Sequence, residues 1–96
     1  MSKPHIDAAT IGRRLSDVFF VLDKKPAQVA RETKILETAL SQYLGGKRAI
    51  TVRAALVLCE QYDLTLDYIY RGDMSGIRSK VADALRALRG ARDNPN

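Results

Sequence analysis

The sequence is poor in the residues that build several kinds of protein site. Its 96 residues include one cysteine, one histidine and no tryptophan. A lone cysteine, Cys59, excludes a disulfide within the chain, and one cysteine with one histidine is too few for a structural zinc site. We interpret Cys59 as a small apolar core residue. Because no nucleophile, base or metal cluster can be recognised either, we predict that the protein is not an enzyme and needs no cofactor.

Long hydrophobic runs and strand-like alternation are missing as well. No apolar stretch approaches the length of a membrane-spanning helix, and the first residues, MSKPHID, lack the apolar segment of a signal peptide. We therefore expect a cytoplasmic protein without a membrane partner, and no small-molecule ligand is apparent. Since no segment alternates apolar and polar residues, all regular structure is predicted to be helical.

Positive charge, by contrast, is in excess. Lysine and arginine number 16 against 11 aspartates and glutamates, which gives a net charge of +5 and an isoelectric point of about 9.7. A basic domain of this size is typical of proteins that bind a polyanion, although the same charge also serves solubility.

Apolar residues recur at helical spacing in six segments. We predict helices over about 7–22, 26–33, 36–44, 51–62 and 66–70, and a sixth that begins after residues 73–75 and ends at Gly90. Asp7, Thr51 and Thr65 are predicted to cap helix starts. Gly45 or Gly46 is predicted to end the third helix in the left-handed conformation.

Side-chain directions can be deduced from the same spacing. In the fourth helix we predict that Val52, Ala55, Leu56 and Cys59 face the core. Tyr62, Tyr68 and Tyr70 are predicted to pack with their hydroxyl groups outward. The apolar stripe of the sixth helix must be buried, either against the first helix of the same chain or against a second copy of the chain.

The second to fifth helical segments carry a resemblance to a known family. In PAQVARETKILETALSQYLGGKRAITVRAALVLCEQYDLTLDYIY, Ala30 is the small residue between two helices, and Ile35 and Leu40 are at buried positions. A glycine and two basic residues, at 46–48, come directly after the third helix. Residues 11–72 thus resemble the phage repressor and Cro family, of the xenobiotic-response-element type. This resemblance implies an all-α, five-helix lambda-repressor-like helix-turn-helix domain over residues 1–72, with an amphipathic C-terminal helix and tail over 73–96.

The resemblance also implies how DNA would be bound. The third helix would enter the major groove. Its outward residues, which match the base-facing positions of the family, are Glu37, Thr38, Ser41 and Gln42. Gln42 would pair with adenine, whereas Glu37 would either accept a hydrogen bond from cytosine or stabilise the helix dipole. The glycines would keep the chain close to the duplex, and the residues implied to contact phosphates are Lys25, Lys34, Lys47, Arg48 and Arg53.

Three residues depart from the family pattern. Lys34 stands where the inter-helix turn usually has glycine, and a left-handed conformation there would cost about 1–2 kcal/mol. Leu36 replaces a serine or threonine at the start of the third helix and has no capping group. Pro26 replaces a glutamine that braces the third helix in the family.

The function implied is a sequence-specific, double-stranded-DNA-binding transcriptional regulator, a repressor of the prophage type that acts as a homodimer. The alternative is an antitoxin or protein-interaction module that uses the same fold to bind a protein.

Overall fold

The computed structural model describes residues 7–93, and their regular structure consists of six α-helices. These helices are α1 (Ala8–Val21), α2 (Pro26–Thr33), α3 (Glu37–Leu44), α4 (Val52–Tyr62), α5 (Leu66–Arg71) and α6 (Ser79–Asp93). No strand occurs in this range, so the all-α prediction is confirmed. Among the described helices, none combines the length and the apolar character that crossing a membrane requires.

Local signals placed most helix ends correctly. The hydroxyl of Thr51 accepts a hydrogen bond from the amide of Ala54 at 3.1 Å, and that of Thr65 from the amide of Tyr68 at 3.0 Å, as predicted. Asp7 occupies the position before α1, but its carboxylate makes no capping hydrogen bond, so that part of the prediction is wrong.

The predicted end of the sixth helix is also wrong. α6 continues through Gly90 to Asp93. A glycine inside a helix costs only about 1 kcal/mol relative to alanine. The last turn is held instead by a 2.6 Å ion pair between Arg92 and Asp17 of α1, whose side chain is buried.

The core is centred on α1, which packs against α3, α5 and α6. Leu15 and Val18 of α1 are fully buried, and Ala82 and Leu85 of α6 lie in the same hydrophobic cluster. The apolar stripe of α6 is therefore buried against α1 of the same chain, and not against a second copy. On the other side of the domain, α4 packs against α2 and α5.

The predicted inward face of α4 is wrong in part. Ala54, Ala55 and Leu58 are buried, whereas Val52 and Leu56 are 58% and 49% exposed. The segment VRAALVLC has apolar residues on two sides, so helical spacing alone did not identify the buried one.

The tyrosine hydroxyls do not point outward as predicted. Tyr62 donates to Glu32 at 2.8 Å, Tyr68 to the carbonyl of Arg14 at 3.4 Å, and Tyr70 to the carbonyl of Ile50 at 3.3 Å. Burial raises the pKa of Tyr68 to about 12. Each tyrosine hydroxyl thus forms a hydrogen bond with a polar atom of another segment. Cys59 is half-buried next to the core, and burial raises the pKa of its thiol.

Candidate nucleic-acid interface

The candidate interface is the outer face of α3. Leu40 and Tyr43 of this helix are buried, and Ala39 is half-buried against the core. The four side chains predicted to face bases are all exposed, and their spacing puts them on one side of the helix: Glu37, Thr38, Ser41 and Gln42. They offer hydroxyl, amide and carboxylate groups, which are the groups that read base edges in a major groove.

The turn after α3 has the hydrogen bonds of a Schellman motif. The amide of Lys47 donates to the carbonyl of Gln42 at 3.0 Å, and that of Gly46 to Tyr43 at 3.2 Å. Gly46 has a φ of +72°, so the predicted left-handed glycine is confirmed. Its close neighbour is α1: a Cβ on Gly46 would lie 2.8 Å from the Cα of Ala9. Within the chain, the turn therefore needs glycine because it packs against α1.

A second glycine, which the sequence did not single out, sets the distance between α1 and α3. Gly12 is buried in α1, and a Cβ there would lie 2.8 Å from the carbonyl oxygen of Leu44 and closer still to that of Tyr43. The end of α3 therefore lies directly on the backbone of α1. A glycine on the buried side of an amphipathic helix was the available signal of this close approach.

The turn before α3 is braced by a buried threonine. The hydroxyl of Thr33 donates to the carbonyl of Val29 at 2.7 Å and accepts from the amide of Ile35 at 3.3 Å. Lys34 comes next with a φ of 66°, so a left-handed non-glycine residue joins α2 to α3. Leu36 provides no cap to α3 and is 74% exposed. Pro26 begins α2, where its missing N–H is not needed.

One of the predicted phosphate contacts lies beside a predicted base contact. The guanidinium of Arg48 donates to the Oε1 atom of Gln42 at 3.2 Å and lies 6.0 Å from the centre of the Tyr43 ring. The buried ring and the amide together orient an exposed cation at the edge of α3. The structure thus brings Gln42 and Arg48 together.

The other predicted phosphate contacts are exposed cations at helix ends. Lys25 and Lys34 flank α2, Lys47 comes after α3, and Arg53 is in the first turn of α4. Within residues 7–93, no hydrogen bond or ion pair joins any of these four side chains to the outer face of α3. Arg53 lies near the free amides that begin α4, where the helix dipole also favours an anion.

The placement of α2 depends on a polar cluster that the sequence did not reveal. Glu32 accepts from the ammonium group of Lys24 at 2.9 Å and from the hydroxyl of Tyr62 at 2.8 Å. These hydrogen bonds, chiefly the one from Lys24, lower the pKa of Glu32. The cluster connects the loop after α1, α2 and the end of α4, and so fixes the helix that precedes α3.

Comparison with protein-family models, curated proteins and solved structures found no match.

Proposed function

We propose that the chain is a sequence-specific, double-stranded-DNA-binding transcriptional regulator that acts as a repressor. In this proposal α2 and α3 form the helix-turn-helix of a five-helix, lambda-repressor-like domain, and α6 is an additional helix packed on α1. The observation that carries the proposal is the outer face of α3, which is wholly polar and exposed and is continued closely by two exposed cations, Lys47 and Arg48.

The same arrangement supports two kinds of contact with DNA, one to bases and one to phosphates. The side chains of Thr38, Ser41 and Gln42 would meet base edges in the major groove, and Gln42 would pair with an adenine. Lys47 and Arg48 would meet phosphates at the edge of the groove and set the register. Because Arg48 already contacts Gln42 in the free chain, both side chains would need little rearrangement to reach DNA.

We further propose that two copies bind together. Half-sites of a palindromic operator lie about 34–36 Å apart along one face of DNA. The chain measures 37 × 34 × 26 Å, so two copies side by side would match this spacing.

The test begins with selection of bound sequences from a random duplex pool. Fluorescence anisotropy would then compare the selected site with random duplex over a range of salt concentrations. Gln42→Ala is expected to weaken binding to the selected site by about 1–3 kcal/mol and to weaken binding to random duplex far less. Arg48→Ala is expected to weaken both and to reduce the slope of log affinity against log salt by about one.

Matched controls are available on other helices. Gln61→Ala removes an exposed amide from the end of α4, and Arg86→Ala removes an exposed cation from α6. Neither is expected to change selectivity. Absence of salt-sensitive duplex binding at low ionic strength would refute the proposal.

A second function is supported by the apolar residues that α4 exposes to solvent. Val52 and Leu56 lie four residues apart, and both are about half exposed or more. Such an apolar patch suits a protein partner, as in an antitoxin or interaction module. If Val52→Ser and Leu56→Ser abolish capture of a protein partner while duplex binding is absent, this second function replaces the first.

A further inference from the structure

A second basic region lies between α1, α5 and α6, and two of its residues, Arg13 and Arg92, also border the end of α3. It is a cavity of about 430 Å³. Three helices contribute its cationic side chains: Arg13 and Arg14 of α1, Arg71 of α5, and Arg89 and Arg92 of α6. Like charges brought together in this way repel one another unless an anion lies among them.

Arg14 is held in place by the backbone around it. Its Nη1 atom donates to the carbonyl of Ile69 at 3.1 Å. The guanidinium lies so close to Gly72 that a Cβ there would be 3.0 Å from its Nε and Nη2 atoms. Burial lowers the pKa of Arg14, and the nearby charge of Arg89 acts in the same direction. One wall of the cavity is thus a fixed, partly desolvated guanidinium.

The carboxylates near the cavity do not balance its cations. Arg92 forms an ion pair with Asp17 at 2.6 Å, and Arg71 lies 3.9 Å from Asp67. The negative charge of Asp7 attracts the guanidinium of Arg14. The charges of Asp73 and Arg71 also attract each other, so three of the five guanidinium groups have carboxylates nearby. Within the described chain, Arg13 and Arg89 form no ion pair.

We propose that this cavity binds a small phosphomonoester, with its phosphate held by the arginines and its organic body against the remaining wall. Guanidinium groups bind phosphate oxygens in pairs of parallel hydrogen bonds, and Arg13 and Arg89, which form no ion pair within the described chain, are available to a phosphate. The volume is within the range of about 300–1,000 Å³ that is typical of small-molecule sites. Tyr68 and Met74, which also line the cavity, provide a surface for the organic part.

Such a ligand would connect parts of the chain that are far apart in sequence. The phosphate would bridge Arg14 of α1 and Arg89 of α6, and the end of α5 lies beside Arg14 through Gly72. This site does not depend on the proposed DNA-binding function, and the affinity of its ligand is measured in the absence of DNA.

The experiment is isothermal titration of the purified full chain with adenosine monophosphate and, separately, with inorganic phosphate, at matched ionic strength. The test variant is Arg13→Ala/Arg89→Ala, which leaves the ion pairs of Arg71 and Arg92 in place. The control is Arg31→Ala, which removes an exposed cation of α2 outside the cavity. Each lost charge-assisted contact corresponds to about tenfold in affinity, so the double variant is expected to bind adenosine monophosphate about a hundredfold more weakly.

Each outcome decides the proposal. Binding of adenosine monophosphate that the double variant loses and Arg31→Ala retains supports it. Equal binding of inorganic phosphate and adenosine monophosphate overturns the organic part, since only the phosphate would then be recognised. Equal loss in both variants, or no heat beyond that of sodium chloride, overturns the site. If duplex affinity falls in the double variant while adenosine monophosphate does not bind, the arginines belong to a nucleic-acid surface and the proposal is wrong.

Discussion

The contact between Gly12 and the end of α3 gives the sharpest test of the packing. Gly12→Ala would place a methyl group 2.8 Å from the carbonyl oxygen of Leu44 and still nearer to that of Tyr43. Both atoms belong to helical backbone, so they cannot rotate away as a flexible side chain would. Either α1 moves away from α3, or the final turn of α3 deforms.

The size of the effect depends on two opposing contributions. Overpacking of a tightly packed site costs about 1–3 kcal/mol. Replacing glycine by alanine inside a helix returns up to about 1 kcal/mol. Because the obstruction is backbone, we expect the upper end of the first range and a net destabilisation of about 2 kcal/mol. For a domain of this size, that lowers the melting temperature by about 8–16 °C.

The matched control is the same substitution in α6. Gly90 is also helical, but within residues 7–93 no atom beyond its chain neighbours and its own helix backbone lies within 4 Å of the Cβ that an alanine would add. Gly90→Ala is therefore expected to raise stability by about 0.5 kcal/mol, less than the full propensity difference because the helix end frays. Urea unfolding followed by circular dichroism measures both changes. If Gly12→Ala were as stable as Gly90→Ala, the close approach of α1 and α3 would be refuted.

Three further substitutions test the turns and the polar cluster. Lys34→Gly is expected to stabilise the fold by about 0.5–1 kcal/mol in urea unfolding, because relief of the left-handed strain exceeds the added entropy of the unfolded chain. Thr51→Ala is expected to cost about 1 kcal/mol in the same assay, because α4 loses its cap. Glu32→Gln is expected to lose the stability that the wild-type carboxylate contributes above its ordinary pKa of about 4.5. As the pH falls through the lowered folded pKa of Glu32, wild type and variant should converge.

Each of these expectations has a contrary result. An unchanged Lys34→Gly variant would mean that the strain is no larger than the entropy that glycine adds to the unfolded chain. A neutral Thr51→Ala variant would mean that water replaces the cap without loss. A constant stability difference between Glu32→Gln and wild type from about pH 7 to about pH 3 would remove Glu32 from the pH dependence.

The sequence predicted features that depend on neighbours along the chain. Pro26, Thr51, Thr65 and Gly46 act through their own backbone or through amides a few residues away, and each stands where it was expected. The exposed face of α3 could be deduced because Leu40 and Tyr43 define its buried side.

Contacts between distant segments could not be predicted in this way. The partner of Tyr62 is 30 residues away and that of Tyr68 is 54 residues away, so no local pattern indicates them. The inward side of α4 depends on how α2 and α5 pack against it. Contact of Glu37, Thr38, Ser41 or Gln42 with bases stays a prediction.

The hydrogen bond between Arg48 and Gln42 has a consequence for any effort to retarget the protein. Under the proposed function, a new residue at position 42 would also release the guanidinium that its amide orients. A change in operator preference would then come with a change in overall affinity, and the two could not be tuned separately. Libraries that vary positions 42 and 48 together should therefore yield new specificities that libraries at position 42 alone do not contain.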